Sequence, residues 1–207
     1  MKVSFLVFFL LIFTNLQPTI SFTNVLRKNA KNNLLNLVTS GAPNRDIIKA
    51  LEKVEFLSLG GATLKNPLLS GNWLMVWTTS ESIAGKSRPS YLQTTTPPEQ
   101  LIDIENGRAV NSEMVLGIRN MVKASITPET MNKVKVSFEE FKIGPIGFKA
   151  PNYLKGELSV SYLDEEMRIS RGDKGNLFIL LREATEREVA NEVWDSWRKS
   201  WDLKKKD

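Results

Sequence analysis

Between residues 68 and 182 the chain consists of short apolar runs that alternate with polar residues and end at turns, which leaves few possible folds. Val134, Val136 and Phe138 alternate with polar side chains, as is typical of a strand with one buried face. Asn106-Gly107 between two such runs predicts a tight hairpin. About eight strands with short connections and no helices between them predict an antiparallel barrel or sandwich. An eight-stranded barrel is wide enough to hold one small ligand.

Two amphipathic helices flank the strands. The first begins near Asn44 and Asp46, which can cap it, and ends at Gly60-Gly61. The second covers residues 185–203 and is followed by three lysines, which are favourable at a helix C-terminus. The pattern therefore predicts a mainly β protein: an antiparallel barrel with an N-terminal helix and a C-terminal amphipathic helix.

The formal net charge of +5 comes from 28 Lys+Arg and 23 Asp+Glu, but the excess is confined to one end of the chain. Five basic residues and no acidic residue precede Asp46, so residues 46–207 hold 23 charges of each sign and are formally neutral. A basic surface for nucleic acid is therefore not predicted.

The sequence contains neither Cys nor His. This excludes a disulfide frame, thiolate chemistry, a Ser-His-Asp relay and metal sites with Cys or His ligands. We predict no catalytic residue, no metal and no cofactor.

The first 45 residues are typical of a two-part leader. A basic start and an apolar run over residues 3–13 indicate a signal peptide with cleavage after Ser21. Residues 22–45 are basic, rich in Asn and free of acids, which indicates a transit peptide. The chain is thus divided into a signal peptide (1–21), a transit-like segment (22–45), a barrel domain (46–182) and a Trp-rich helix with a basic tail (183–207).

Two segments carry a specific pattern. One is Tyr-Leu-Asp-Glu-Glu-Met-Arg-Ile-Ser-Arg-Gly-Asp-Lys-Gly-Asn-Leu-Phe at residues 162–178, and the other is Leu-Ser-Gly-Asn-Trp-Leu-Met-Val-Trp-Thr-Thr-Ser at residues 69–80. Both resemble the plastid lipid-associated protein, or fibrillin, domain family, and Gln100, Ile102 and Asn111 are similar to a further block of it. The resemblance covers residues 47–182, with Trp77 where the family usually has Tyr.

The resemblance implies a lipocalin-like barrel that binds or organises small hydrophobic molecules (lipids, isoprenoids or pigments) at thylakoid or plastoglobule surfaces. It also implies a plastid location. A signal peptide followed by a transit-like stretch that starts with Phe22 is similar to the leaders of complex plastids. The alternative is a secreted protein with a basic N-terminus.

The resemblance and the strand faces together indicate site residues. Gly71 and Trp73 resemble the Gly-x-Trp motif on the first strand of lipocalin barrels. In those barrels the Trp closes one end and an Arg from a late strand stacks on it, and Arg168 or Arg182 can be that Arg here. Trp73, Met75 and Trp77 are expected on one face, as are Val160 and Tyr162 on a later strand. The side chains predicted to line a cavity are Trp77, Met75, Phe138, Phe141, Phe148, Val160, Tyr162 and Ile179. For each of them, ordinary core packing is an equal alternative.

The C-terminal helix has two interpretations. Its tryptophans and the lysines behind them can lie in a membrane interface or hold a partner. Alternatively, the same tryptophans pack on the barrel. The residues concerned are Trp194, Trp197, Trp201, Lys204, Lys205 and Lys206.

The predicted function is non-enzymatic binding of a small hydrophobic ligand with peripheral membrane contact. One alternative is an enzyme on the same scaffold that acts on a lipid or pigment, and another is an assembly factor that docks a partner through the Trp helix. The charged residues of segment 164–173 allow an acid/base or metal site. Their position in turns favours ion pairs that fix the strand register instead.

Overall fold

The computed structural model describes the backbone of residues 4–58 and 63–203. Its strands are β1 (Gly71–Thr78), β2 (Glu99–Asp103), β3 (Arg108–Val115), β4 (Ile118–Pro128), β5 (Lys133–Ile143), β6 (Ile146–Lys149), β7 (Lys155–Leu163), β8 (Met167–Gly172) and β9 (Leu177–Arg182). Its α-helices are α1 (Ser4–Thr39), α2 (Asn44–Phe56), α3 (Glu81–Ala84) and α4 (Glu183–Leu203). The predicted strands are confirmed, whereas helix α1 was not predicted.

Eight of these nine strands form a closed antiparallel ring. Strands that are neighbours along the chain pair with each other, β5 pairs with β7, and β1 pairs with β9 to complete the circle. The short strand β6 extends the sheet at the end of β5. The prediction of an antiparallel barrel is confirmed, and the sandwich alternative is wrong because pairing continues around the whole ring.

The barrel has two different ends. The start of β1, the end of β9 and the β2–β3, β4–β5 and β7–β8 turns lie at one end. The end of β1 and the β3–β4, β5–β6 and β8–β9 turns lie at the other. The β2–β3 hairpin predicted at Asn106-Gly107 is present as a four-residue loop between Asp103 and Arg108, in which Gly107 has a φ of 61°, a value that favours glycine.

β-Bulges reverse the side-chain faces along two strands. In β1, Met75 pairs with Leu180 but Trp77 pairs with Ile179, so the register shifts between them. In β7 the register shifts in the same way between Val160 and Tyr162. Because a bulge adds one residue to a strand, residues on either side of it that are two apart point to opposite faces. The shared face predicted for Met75 and Trp77, and that predicted for Val160 and Tyr162, is therefore wrong.

One hydrophobic core joins buried side chains of the barrel strands to those of helices α1, α2 and α4, which pack outside the ring. Strand β1 is buried on both faces, because one looks into the barrel and the other is covered by α4. From α2, Ile47, Leu51 and Val54 enter this core and are fully buried. They have the helical spacing that the sequence predicts.

Both flanking helices differ from the prediction at their ends. Helix α2 is preceded by Pro43 as its N-cap, without a side-chain capping bond, and ends at Phe56, whereas Gly60-Gly61 lies outside the described residues. Helix α4 begins at Glu183, and its backbone leaves the helical range at Glu186 (φ −122°). Among the described helices, none combines the length and apolar character needed to cross a membrane.

Helix α1 packs into the core from the segment that was predicted to be a transit peptide. Leu34 and Val38 are fully buried, and Ala30 lies one turn earlier on the same face. A Cβ at Gly41, which has a φ of 64°, would lie 2.5 Å from Cβ of Ser200. The turn between α1 and α2 is therefore in direct contact with α4, and packed structure begins before the predicted boundary at residue 46.

Lys31 connects α1 to the β7–β8 turn. Its Nζ lies 2.7 Å from Oδ2 of Asp164 and 2.6 Å from Oε2 of Glu166. Asp164 also accepts hydrogen bonds from the hydroxyl of Tyr162 at 2.6 Å and the backbone N–H of Met167 at 2.7 Å. Burial on its own would raise the pKa of Asp164, but the hydrogen bonds from Lys31 and Tyr162 outweigh it and hold that pKa below its usual range. This part of the charged segment 164–173 therefore forms turn and ion-pair contacts.

Replacing Lys31 by Met should lower the free energy of unfolding by about 1–3 kcal/mol near neutral pH, because Asp164 remains largely buried without its cation. A carboxylate with a lowered folded pKa contributes stability above its ordinary pKa of about 3.9 and loses it as the pH falls through the folded value. The deficit of K31M should therefore shrink on acidification. Urea unfolding at a series of pH values measures it.

Lys28→Met is the matched control, since Lys28 is exposed on the same helix. If K31M were as stable as the wild type near neutral pH, or if its deficit persisted unchanged in acid, the ion pair would not be what holds α1.

Candidate functional site

The barrel encloses a cavity of about 660 Å³, which is within the usual size range of small-molecule sites. All eight strands of the ring contribute to its lining. Ile83 of α3 and Lys174 of the β8–β9 turn also line it, so the cavity reaches the end of the barrel where β1 ends. This end is called the mouth below.

Trp73 closes the opposite end. Its indole Nε1 donates a hydrogen bond to the carbonyl of Leu69 at 3.0 Å, and the side chain is fully buried. Two guanidinium groups approach the ring, with Cζ of Arg182 4.2 Å and Cζ of Arg168 5.1 Å from its centroid. Both distances are within the range of cation–π attraction.

Arg182 links the closed end of the barrel to the segment before β1 and to the β7–β8 turn. Its guanidinium donates to the backbone carbonyls of Leu68 and of Glu165 in the β7–β8 turn. Gly71, with a φ of 130°, leaves space for it, since a Cβ there would lie 2.9 Å from Nη1 of Arg182. The structure thus brings together the residues predicted for closure: Gly71, Trp73, Arg168 and Arg182.

Part of the cavity wall is apolar. Met75 and Leu180 line it from β1 and β9, and Phe138 and Phe141 line it from β5. A bulge in β5 lets Phe138 and Phe141 face the same side although they are three residues apart, and their ring centroids are 6.3 Å apart. Phe148 stacks on Phe141 at 5.7 Å and is 49% exposed, so this row of rings leads from the surface into the cavity.

Another part of the wall, which extends from Arg168 beside Trp73 along β8 to Ser170, carries polar groups, called the polar floor below: Arg168, Ser170, Gln100 and Asn111. Arg168 is completely buried, and its Nη2 donates to Oε1 of Gln100, which in turn donates to Oδ1 of Asn111 at 2.7 Å. The other two nitrogens of Arg168, Nε and Nη1, and the hydroxyl of Ser170 have no hydrogen-bond partner among the described residues. The polar floor therefore has unused hydrogen-bonding capacity.

Burial lowers the pKa of Arg168 to about 9, and repulsion from Arg182 acts in the same direction. Arg168 therefore still carries its positive charge at neutral pH. A buried charge without a counter-ion costs several kcal/mol, which makes this residue the most unfavourable electrostatic feature of the cavity.

Five of the eight side chains predicted to line the cavity lie elsewhere. Beyond the bulge in β1, Trp77 and Ile179 face the helices, and the ring centroid of Trp77 is 6.4 Å from that of Trp197. Beyond the bulge in β7, the hydroxyl of Tyr162 points to Asp164. The other two do not line the cavity either: Val160 is buried in the core, and Phe148 is at the surface.

Helix α4 packs along β1 with its tryptophans inward. Trp194 is fully buried, and Trp197 and Trp201 are only 2% and 7% exposed. The three rings contact one another edge to face, with centroids 4.9 to 6.0 Å apart. Of the two interpretations of this helix, the structure shows the one in which its tryptophans pack on the barrel. The lysines predicted to support a membrane or partner contact, Lys204, Lys205 and Lys206, lie outside the described residues.

The polar floor was not recognised as a site from the sequence. Arg168 was considered for closure only, Gln100 and Asn111 entered only through the family resemblance, and Ser170 was not considered. The available signal was the pair Arg168 and Ser170, two polar residues that alternate with Met167 and Ile169 in β8. Such residues point inward when the other face of the strand is covered by helices.

The chain thus forms a closed eight-stranded barrel with one plugged end and an internal cavity lined by both apolar and polar side chains. The PAP_fibrillin family model matches residues 26–181, and the chain belongs to this family. The family resemblance inferred from the two sequence motifs is thereby confirmed, and the match begins within α1.

Two curated relatives come from Arabidopsis thaliana. The chain is 32% identical over 166 residues to "Probable plastid-lipid-associated protein 5, chloroplastic", covering 75% of this chain and 70% of that protein. It is 28% identical over 129 residues to "Probable plastid-lipid-associated protein 8, chloroplastic", covering 58% of this chain and 54% of that protein.

Similar solved structures include a streptavidin-like protein from Bacteroides eggerthii DSM 20697, with a TM-score of 0.37 and 10% identity over 65% of this chain and 97% of that one. Bovine odorant binding protein in complex with undecanal has a TM-score of 0.34 and 16% identity over 69% of this chain and 84% of that one. The fold assignment rests on the strand pairings of this chain and not on these scores.

Proposed function

We propose that this protein binds a small hydrophobic molecule (a lipid, isoprenoid or pigment) inside the barrel and does not convert it chemically. The observation that carries the proposal is the 660 Å³ cavity, whose lining includes the apolar side chains of Met75, Phe138 and Phe141. Burial of apolar ligand surface there stabilises a complex by roughly 25 cal/mol per Å². Catalysis is not supported, because the hydroxyl of Ser170 has no base among the described residues to accept its proton.

The proposed location is a plastid, and more specifically a complex plastid reached through a signal peptide and a transit-like segment. The names of both relatives include the word chloroplastic, and the leader composition supports the two-part route. Since Ala30, Leu34 and Val38 are packed in the core, we propose that processing leaves the chain from Ala30 onward intact. Secretion remains the alternative destination.

The proposed contact with a lipid surface, thylakoid or plastoglobule, uses exposed side chains beside the mouth. These residues, called the apolar tip, lie on or near the β3–β4 and β5–β6 turns and are 47% to 68% exposed: Leu116, Ile118, Ile143, Ile146 and Phe148. The N–H of Gly144 donates to the carbonyl of Arg119 at 3.0 Å, so the two turns are adjacent and present one surface. Contiguous exposed apolar side chains of this kind mark interaction sites.

Two further observations favour a lipid surface as the occupant of the apolar tip. Lys149 flanks it in β6 and Lys142 flanks it in β5, where Nζ of Lys142 lies 3.7 Å from Oε1 of Glu140; a lysine beside the tip suits anionic headgroups. Phe148 in the tip stacks on Phe141 in the cavity, so the apolar surface continues into the mouth. The tryptophans of α4 are buried and cannot present a docking surface in this structure. The alternative of an assembly factor that docks a partner through these tryptophans is therefore not supported.

The mature protein should start between residues 22 and 29, because a later start would remove buried residues of α1 from the core. Mass spectrometry of the protein purified from its native source identifies the N-terminus. A mature chain that starts at residue 46 would contradict this proposal.

Val136→Trp places a large ring in the cavity and should weaken binding of the neutral probe N-phenyl-1-naphthylamine by at least about tenfold. Ser137→Trp is the matched control, since Ser137 is the next residue of β5 and does not line the cavity, and it should keep the affinity within about twofold. Fluorescence titration measures binding, and thermal unfolding shows that each variant folds. The proposal would be wrong if the wild-type protein bound neither this probe nor any plastid lipid saturably.

The double variant Leu116→Ser/Ile146→Ser should lower the affinity for vesicles of phosphatidylcholine and phosphatidylglycerol by about tenfold or more, because two apolar side chains no longer insert. Met131→Ser is the control, as Met131 is 67% exposed in the β4–β5 turn at the closed end. Vesicle flotation gives the bound fraction. Equal flotation of wild type and double variant would rule out the apolar tip as the contact.

A further inference from the structure

A purely apolar ligand would leave the polar floor of the cavity unsatisfied. Arg168 is fully buried with two nitrogens lacking acceptors, and the hydroxyl of Ser170 beside it also lacks a partner among the described residues. Arg168 and Ser170 are two residues apart on one face of β8, a spacing of about 7 Å along the strand. A buried cation of this kind is stabilised by an anion that accepts its hydrogen bonds.

The cavity does not supply that anion from its own wall. Three carboxylates in the lining are already paired with other cations: Glu99 with Arg119 at 2.8 Å, Glu113 with Arg88 at 2.9 Å and Glu157 with Lys133 at 2.5 Å. A fourth, Asp173, lies in the β8–β9 turn at the mouth. Within the described residues, the charge that acts on Arg168 is another cation, Arg182. The counter-ion of Arg168 therefore has to come with the ligand.

The number of donors indicates the kind of headgroup. Arg182, the other cation at the closed end, is engaged by the carbonyls of Leu68 and Glu165 and by the ring of Trp73. One guanidinium and one hydroxyl then remain, which match a head with a single negative charge better than a doubly charged phosphate. The apolar side chains of the cavity wall, which include Met75, Phe138 and Phe141, suit an extended hydrocarbon tail.

We infer that the cavity takes a single-chain acyl lipid with a carboxylate head, which binds Arg168 and Ser170 while the tail runs past Met75 and Phe138 towards the mouth. Gln100 acts as a positioning residue, since its Oε1 accepts from Arg168 and its amide is held by Asn111. This inference rests on the proposed function and names the ligand class for the same site.

The test compares palmitate with methyl palmitate on the full chain by displacement of N-phenyl-1-naphthylamine. The two ligands share a tail, but only palmitate has an anionic head. Wild-type protein should bind palmitate at least about tenfold more tightly, since hydrogen bonds to a charged group are the stronger kind. Arg168→Met should remove this preference and leave methyl palmitate within about twofold of the wild-type affinity. Arg168→Lys should restore part of the preference.

A purely structural role of Arg168 predicts a different outcome. R168M would then unfold at a lower temperature and lose both ligands in parallel, and this result would overturn the inference. We expect the ligand-free variant to unfold at a temperature close to that of the wild type, because removal of a buried charge without a counter-ion offsets the loss of its contacts with Trp73 and Gln100. Ser170→Ala should weaken palmitate alone.

The wild-type comparison decides the question even if R168M does not fold. Equal affinity for palmitate and methyl palmitate would overturn the inference while the proposed function stands. Absence of binding by the neutral probe and both lipids would overturn the proposed function itself.

Discussion

The structure depends on the pairing of β1 with β9. Other pairings in the ring join strands that follow one another or are separated only by β6, whereas Thr78 pairs with Phe178 and Trp73 with Arg182 across almost the whole domain. This contact must be formed against the entropy of closing a long loop, and without it the sheet would have two open edges. The pair Trp73 and Arg182 then closes the end of the barrel at the position where the ring itself closes.

β1 also couples the inside of the barrel to the helices outside it. Before its bulge, Met75 faces the cavity, and after it Trp77 packs on Trp197 of α4. The helix layer therefore rests on the same strand that forms the cavity wall. α1 joins this layer through Leu34 and Val38, which explains why the family match extends into a segment whose composition alone is typical of a transit peptide.

The strands and most turns could be predicted because alternation and Asn-Gly turn chemistry are local properties of the sequence. The positions of bulges are not local in this sense, since a bulge is defined by the partner strand, and three bulges decided which aromatic residues face the cavity. Trp77 and Tyr162 were misplaced for this reason, whereas Phe141 faces the cavity because of one. The packing of α1 was present in the sequence as Ala30, Leu34 and Val38 at four-residue intervals, but the absence of acidic residues dominated the interpretation.

The polar floor and the apolar tip lie at opposite ends of one path through the barrel. Replacing a buried Arg168 by an apolar residue would in general cost the empty barrel little or stabilise it, so its charge is explained by specificity better than by stability. A charged floor discriminates between ligands that have the same tail but different heads. Apolar walls discriminate only weakly between tails, because one methylene more or less changes the binding energy by only about 1–3 kcal/mol. Since the aromatic row from Phe148 to Phe138 begins at the surface, a lipid that enters head first passes these rings before its head reaches Arg168. The barrel would then select the head and accept a range of tails, a division of roles that follows from placing a buried cation without a counter-ion of its own beside the apolar side chains of the wall.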